Sequence, residues 1–236
     1  MEKRTWVCSD LHGNRKIFDA IINKIGAEDT VIFLGDAIDR GPDGWAILKE
    51  MLNDKRFIVL KGNHEDMMVK AAKTGYGFNS KFNLWFRNGG SVTWEACHGE
   101  IENWIERIAA LPIIHRHTNA NGDKLLFSHS GYGPWNFEAG LEDDDTWIIE
   151  DVLWDRAHFN DEWIGGEDEI VIHGHTPTVY LIEELIPKDV VCELEPGALW
   201  YCGGHKCCVD CGTAFTGCAT LMNIDTFEEE IFCEGE

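Results

Sequence analysis

The chain has 236 residues, 20 of them basic and 42 acidic, so its formal charge at pH 7 is −22. A charge of this sign repels phosphate backbones and excludes the usual kind of nucleic-acid binder. The length and the 44% apolar content are typical of one globular domain over residues 1–236. No segment resembles a signal peptide or a membrane span, so we expect a cytoplasmic protein without a membrane partner.

The first sixty residues alternate between apolar runs and a helical repeat. Residues 5–8, 30–34 and 57–60 are short and rich in Val, Ile and Phe, which predicts buried strands. Between the first two runs, apolar residues recur every three or four positions, as on the buried face of a helix: Ile17, Phe18, Ile21, Ile22 and Ile25. This order of elements predicts a parallel sheet with helices on its faces.

The rest of the chain predicts helices first and strands later. Residues 65–110 predict a helical insertion over one end of the sheet, broken near Tyr76 and at "NGG" (88–90). Residues 113–118 and 124–128 predict a hairpin joined by "NANGD". After a tryptophan-containing loop segment at 132–169, further strands are predicted at 170–172, 179–183, 190–194, 199–202, 207–210 and 219–224. We therefore expect an α/β fold of two packed mixed sheets flanked by helices, with the second sheet more antiparallel than the first.

Nine cysteines in a chain of this size favour reduced thiols, because the number is odd and no secretory signal is visible. Cys202, Cys207, Cys208 and Cys211 form one cluster near His205, but it contains a single C-x-x-C and lacks the second pair of a structural zinc site. A zinc or redox role for this cluster is the less favoured alternative.

Five predicted strands end in Asp, His or Asn next to glycine. The motifs are "SDLHG" (9–13), "GDAIDRG" (35–41), "GNHE" (62–65), "SHSG" (128–131) and "IHGHTP" (172–177). Any one of them is explained by a turn or a helix cap. Together they indicate a cation site, because unpaired carboxylates and imidazoles gather at one sheet edge only where a cation neutralises them. Oxygen and nitrogen ligands without thiolate suit Mn, Fe or Zn better than calcium.

In this order the motifs resemble the calcineurin-like metallophosphoesterases and their αββα sandwich, in particular the bacterial and phage serine/threonine phosphoprotein phosphatases. The resemblance extends from Asp10 to about Gly212, where "VDCG" looks like the closing motif. It implies a binuclear metal centre in which one ion is held by Asp10 and His12, both ions by Asp36, and the second ion by Asn63, His129 and His175. Such a pair of ions would turn a bridging water into a hydroxide that attacks phosphorus in line.

The same resemblance assigns the catalytic side chains. His64 would be the general acid, because the side chain next to Asn63 diverges from the metals and is free to donate a proton. Asp39 would orient His64, and Arg40 and Arg156 would hold the phosphate. A turn role for Asp39, surface ion pairs for both arginines and an exchange of roles between His173 and His175 remain open, and Asn88 is a weaker candidate for the site.

The sequence thus predicts a two-metal phosphomonoesterase with Mn as the expected ion. The expected substrate is a phosphoserine or phosphothreonine protein or peptide, or a small phosphate ester. Hydrolysis of a dinucleoside polyphosphate is the main alternative. An inactive relative that binds a partner through its acidic surface is a third interpretation.

Overall fold

The fold is seen in a computed structural model, which describes residues 3–75, 79–97, 99–132, 152–156, 169–185 and 195–235. Within these ranges the strands are β1 (Thr5–Cys8), β2 (Thr30–Phe33), β3 (Phe57–Val59), β4 (Ile114–Thr118), β5 (Lys124–Ser128), β6 (Glu169–His173), β7 (Leu199–Tyr201), β8 (Lys206–Cys208), β9 (Cys218–Asn223) and β10 (Glu229–Cys233).

The strands form two five-stranded sheets. The first has the order β10-β9-β1-β2-β3, with β1, β2 and β3 parallel and the other two strands antiparallel to their neighbours. The second has the order β4-β5-β6-β8-β7, with a parallel centre and antiparallel edge strands. Both sheets are mixed, as expected, but the second is not more antiparallel than the first, because each has two parallel and two antiparallel strand pairs. The parallel strands of each sheet place their carboxyl ends at a common edge.

The helices lie mainly between β1 and β4. They are α1 (Arg15–Lys24), α2 (Gly44–Asn53), α3 (Asn63–Lys73), α4 (Ser80–Trp85), α5 (Ser91–Cys97), α6 (Ile105–Ala109), α7 (Thr178–Leu185) and the short α8 (Thr213–Thr216). Helix α1 buries Ile17, Phe18 and Ile21, as its apolar repeat predicts. The predicted insertion is confirmed by α3 to α6, and a π-turn, Phe86–Gly90, connects α4 to α5. No helix in the described ranges is both long and apolar enough to cross a membrane.

The sheets pack face to face because their strands are apolar on both sides. Trp6 and Cys8 of β1 pack in a cluster with α1, α2 and the insertion, whereas Val7 between them packs against Phe127 and Ile172 of the second sheet. This alternation follows from the two-residue period of a strand. Each large apolar side chain buried in this way contributes roughly 1.5–3 kcal/mol.

One predicted strand is a helix, and one predicted strand belongs to the other sheet. Residues 179–183 belong to helix α7, because the carbonyl oxygen of Pro177 accepts hydrogen bonds from the backbone nitrogens of Tyr180 (2.9 Å) and Leu181 (3.3 Å). A short apolar run fits either period, and proline favours the start of a helix. Residues 219–224 do form a strand, β9, but it pairs with β1 in the first sheet. The strand predicted at 190–194 lies outside the described residues.

The expectation of reduced thiols is wrong for one pair, since Cys218 and Cys233 form a disulfide. The two residues are register partners across β9 and β10, with their Cα atoms 4.1 Å apart. Only the pairing of the two strands brings them together, so their spacing in the sequence does not reveal the bond. Among the described residues, the late cysteines belong to no group of three side chains suited to a metal ion.

Candidate metal centre

The five polar motifs meet where the strands end. Asp10 follows β1, Asp36 follows β2, and Asn63 begins α3 directly after β3. His129 and His175 follow β5 and β6 of the second sheet. The parallel order of the strands therefore delivers one polar side chain from each strand end to the same place.

The loops that carry these side chains are backbone-strained. Eight non-glycine residues of the described part have positive φ, and six of them are predicted site residues: Asp10 (53°), His12 (45°), Asp36 (61°), Asp39 (71°), Arg40 (67°) and His175 (68°). Left-handed φ values cost non-glycine residues roughly 1–2 kcal/mol each. Such strain persists where the surroundings over-determine the backbone, and it is concentrated at functional sites.

Asp36 lies at the centre of the cluster. Its Oδ2 atom is 3.4 Å from His129 Nε2, 3.7 Å from His12 Nε2 and 3.8 Å from His64 Nε2. Its Oδ1 atom accepts a hydrogen bond from the backbone nitrogen of His64 at 3.0 Å. One carboxylate thus faces nitrogen ligands on two sides, which is the arrangement that a shared ligand of two ions needs.

On one side of Asp36, three acceptor atoms crowd together. His129 Nδ1 lies 2.9 Å from the carbonyl oxygen of Leu34, so Nδ1 carries a proton and Nε2 points into the site. There Nε2 is 2.8 Å from Asn63 Oδ1, and His175 Nδ1 is 3.2 Å from both. A proton on one of the two ring nitrogens can form a hydrogen bond in only one of these close contacts. A metal ion between the three atoms would bind the lone pairs of all of them at once.

The charges in the cluster favour a cation. Burial opposes the ionisation of Asp36, but His129 and His64 outweigh burial and hold the pKa of Asp36 well below its usual value. Burial lowers the affinity of His129 for a proton, but Asp36 and Asp10 raise its pKa to about 10, so the cluster favours a positive charge here, which a metal ion would supply in place of the second proton. Burial and the neighbouring His129 hold the pKa of His175 well below its usual value, so this imidazole is a neutral donor. The donor set therefore fits a divalent ion on this side.

On the other side of Asp36, His12 presents a second nitrogen. His12 Nδ1 lies 2.9 Å from the carbonyl oxygen of Ile38, which leaves Nε2 facing Asp36 and, at 3.9 Å, Asp10 Oδ1. Asp10 is held by Ser9 and by the backbone nitrogen of His175 at 3.0 Å. Burial, with the adjacent His64, lowers the pKa of His12 to about 3, so this imidazole also stays neutral.

His64 is near enough to share this second group, but its contacts disfavour it as a ligand. Its Nδ1 atom lies 2.7 Å from Asp39 Oδ2, and Arg40 Nη2 lies 3.1 Å from its Nε2. A guanidinium at that nitrogen repels a cation and competes for the same lone pair. Burial opposes a charge on His64, but Asp36 and Asp39 outweigh burial and raise its pKa. Asp39 orients the ring through Nδ1, and Nε2, whose lone pair accepts from Arg40, would carry the transferable proton once the guanidinium turns to a phosphate.

Sequence reasoning missed three side chains that hold the loop after β2. Thr93 Oγ1 donates to Asp39 Oδ1 at 2.6 Å, and Trp85 Nε1 donates to Asp39 Oδ2 at 2.9 Å. Glu65 accepts hydrogen bonds from the backbone nitrogens of Asp36 at 2.8 Å and Ala37 at 2.9 Å. Glu65 ends the "GNHE" motif, and Trp85 and Thr93 lie on either side of "NGG", but neither motif indicates what these side chains bind.

The remaining candidates lie at the margin of the cluster. Arg156 is exposed but close enough to contribute to the lowered pKa of His175. His173 lies 2.7 Å from the hydroxyl of Tyr201 through Nε2, so it is turned to a different partner from His175. The side-chain nitrogen of Asn88 donates to the carbonyl oxygen of Leu84 and not into the cluster.

The chain is similar to several known proteins. The family profile of the calcineurin-like phosphoesterases matches residues 3–209. Serine/threonine-protein phosphatase 2 of Escherichia coli (strain K12) is 31% identical over 159 residues, which cover 64% of this chain and 67% of that protein. The symmetrical bis(5'-nucleosyl)-tetraphosphatase of Buchnera aphidicola is 30% identical over 138 residues, which cover 55% of this chain and 45% of that protein.

A solved structure of a serine/threonine phosphatase from Saccharomyces cerevisiae shares the fold. Its TM-score is 0.58 at 18% identity, and the alignment covers 99% of this chain and 81% of that one. At this identity the likeness bears on the fold alone.

Proposed function

Because the chain belongs to the calcineurin-like phosphoesterases, we propose that it is a two-metal phosphomonoesterase of phosphoserine and phosphothreonine in proteins. One observation carries this proposal. Asp36 Oδ2 lies 3.4 to 3.8 Å from three histidine nitrogens, and one of these histidines is hydrogen-bonded to Asp39. This arrangement supports a carboxylate shared by two metal ions, with a proton donor beside it.

We assign the ligands as the sequence predicts them. One ion would be held by Asp10, His12 and Asp36, and the other by Asp36, Asn63, His129 and His175. Bound divalent ions would lower the pKa of water and so supply a hydroxide nucleophile near neutral pH. Mixed oxygen and nitrogen donors support Mn, with Fe or Zn as alternatives.

The chain's own residues would then bind the phosphate and manage the proton. Arg40 offers a planar guanidinium beside His64 and can hold two phosphate oxygens, with Arg156 as a second, more exposed cation. His64 would donate its Nε2 proton to the leaving oxygen as the P–O bond breaks, and Asp39 would hold the ring for that transfer. The predicted cytoplasmic location stays a prediction.

The choice of substrate rests on similarity. The protein phosphatase of E. coli covers more of this chain than the tetraphosphatase of Buchnera at nearly equal identity. The second candidate, a dinucleoside polyphosphate, is favoured by an open groove of about 410 Å³ lined by His12, Arg40 and Phe215. Phe215 is 60% exposed, and an exposed aromatic ring beside a phosphate site can stack on a base.

Metal-dependent turnover tests the proposal. We expect hydrolysis of p-nitrophenyl phosphate with at least one of Mn, Fe, Zn and Ni, and a loss of at least about 100-fold for Asp36→Asn and His64→Asn. His117→Asn on β4 is the matched control and should leave turnover unchanged. A phosphothreonine peptide compared with diadenosine tetraphosphate then separates the two substrate classes. No turnover with any of these ions would leave the partner-binding interpretation as the better one.

A further inference from the structure

We propose that Trp85 and Thr93 of the helical insertion are positioning residues that hold Asp39 so that His64 Nε2 points at the leaving oxygen. The inference rests on the proposed function, in which His64 is the general acid. It goes further by making the insertion part of the proton-delivery apparatus rather than only a cover for the sheet. Neither residue belongs to the motifs that carry the metal ligands.

Trp85, Thr93 and His64 together form hydrogen bonds with both carboxylate oxygens of Asp39. Trp85 Nε1 donates to Oδ2 at 2.9 Å, and His64 Nδ1 lies 2.7 Å from the same oxygen. Thr93 Oγ1 donates to Oδ1 at 2.6 Å and accepts from the backbone nitrogen of Asp39 at 2.9 Å. Asp39 is fully buried, and Trp85 and Thr93 are 0% and 2% exposed, so no solvent competes for these bonds. Rotation of the carboxylate would break bonds on both oxygens.

The insertion also holds the backbone of Asp39 and of Arg40, the next residue. Asp39 and Arg40 have φ values of 71° and 67°, which an unsupported chain would avoid. The backbone nitrogen of Asp39 is satisfied by Thr93, and that of Arg40 reaches the carbonyl oxygen of Gly89 at 3.3 Å. Asp39 and Arg40, which contact His64 through different ring nitrogens, are thus held in strained conformations by the π-turn and by helix α5 next to it.

The glycines of "NGG" are required for this approach. A Cβ atom on Gly90 would lie 2.5 Å from Trp85 Nε1, the atom that binds Asp39. A Cβ atom on Gly89 would lie 2.9 Å from Cγ of Arg40, and Gly89 itself has a φ of 100°. Both positions therefore exclude a side chain where the insertion meets the loop after β2. The close approach therefore explains the two glycines of "NGG", which the metal ligands do not explain.

A packing role alone would predict something different. A fully buried tryptophan at the centre of a helical insertion stabilises the fold wherever its indole nitrogen points, so loss of the ring would affect all substrates equally. A positioning role affects proton delivery. Loss of the positioning contact would lower the rate when the leaving oxygen needs the proton of His64 as the P–O bond breaks. It would have little effect when the leaving group departs as a stable anion.

The sensitivity of kcat/KM to the leaving group distinguishes the two roles. Phenyl phosphate has a basic leaving group, and dinitrophenyl phosphate has one that needs no proton. We expect Trp85→Phe to lower kcat/KM about 10-fold for phenyl phosphate and less than about 2-fold for dinitrophenyl phosphate, as for loss of one hydrogen bond to a charged group. Thr93→Val should behave in the same way, and Thr93→Ser, which keeps the hydroxyl, should restore the wild-type ratio.

The chain contains a matched control. Trp45 also donates its indole nitrogen to a carboxylate, that of Glu100 at 2.6 Å, outside the cluster. Trp45→Phe should change stability but leave the ratio of the two substrates as in the wild type. In the double variant His64→Asn/Trp85→Phe, the second substitution should have no further effect on phenyl phosphate, because both act on the same proton transfer.

The outcomes separate this inference from the proposed function. Equal losses on both substrates for Trp85→Phe and Thr93→Val, or additive losses in the double variant, would overturn the inference and leave the phosphatase proposal standing. If Trp85→Phe does not fold, Thr93→Val and Thr93→Ser decide by the same ratio. A wild-type enzyme without metal-dependent turnover, or a His64→Asn variant with an unchanged ratio, would overturn the general acid and the inference with it.

Discussion

Asp29 provides a test of the fold that is separate from the candidate metal centre. Its side chain is 4% exposed and accepts hydrogen bonds from the backbone nitrogen of Gly26 at 2.9 Å, Trp6 Nε1 at 3.1 Å and Arg4 Nη2 at 2.9 Å. Burial opposes its ionisation, but these donors outweigh burial and lower the pKa of Asp29 from its ordinary value of 3.8 to about 2. A difference of one in pKa corresponds to about 1.4 kcal/mol. With a discount for the partly exposed Arg4, the lowered pKa of Asp29 therefore contributes about 2 kcal/mol to the free energy of unfolding.

We therefore expect Asp29→Asn to lower the free energy of unfolding by about 2 kcal/mol at pH 7, or roughly 4–8 °C in Tm. Because the folded-state pKa lies below the unfolded-state pKa, this contribution is complete above about pH 4 and disappears as the pH falls toward about 2. Urea unfolding followed by circular dichroism at several pH values measures it. Asp54→Asn, at a carboxylate that pairs with Arg56 near the surface, is the control and should cost less than about 1 kcal/mol.

Two results would refute this reasoning. If Asp29→Asn lowers the free energy of unfolding by the same amount at every pH from 7 to 3, the site requires the shape of the side chain and not its charge. A loss as small as that of Asp54→Asn would show that the buried donors do not stabilise the carboxylate.

Three further predictions concern the cluster and the disulfide. Arg40→Lys should lower kcat/KM for p-nitrophenyl phosphate about 10- to 100-fold, because lysine keeps the charge but loses the planar fork, whereas Arg116→Lys on β4 should not. Glu65→Gln should weaken Mn binding about 10-fold in a calorimetric titration. The reason is that the amide has one oxygen, whereas both carboxylate oxygens of Glu65 accept hydrogen bonds from backbone nitrogens near Asp36. An unchanged affinity would contradict this. Cys218→Ser should cost about 3 kcal/mol in urea unfolding, as expected for a closed segment of this length. A reductant should cause the same loss in the wild type and none in the variant.

Much of the fold follows from local patterns. The apolar runs of β1, β2 and β3 and the repeat of α1 predict a parallel sheet, and the structure has these elements at nearly the predicted bounds. From that sheet follows the convergence of polar strand ends, since parallel strands place their carboxyl ends at one edge. This is why side chains as distant in the sequence as Asp10 and His175 could be expected to meet before any distance was measured.

The predictions that failed concern short segments whose pairing is non-local. The run at 179–183 fits a strand or a helix, and the hydrogen bonds from Tyr180 and Leu181 to the carbonyl oxygen of Pro177 identify it as a helix. Strand β9 could pair with either sheet, and only packing places it beside β1. Its pairing with β10 then brings Cys218 opposite Cys233, which no count of cysteines predicts.

The chemistry available at each strand end can be read from the chain, because the residue types and the order of the strands along the sequence are local properties. How that chemistry is held depends on tertiary packing. Trp85 and Thr93 reach Asp39 across 46 and 54 residues of chain. Contacts of that separation depend on how an insertion packs against a loop, and no local periodicity encodes the packing of two elements so far apart.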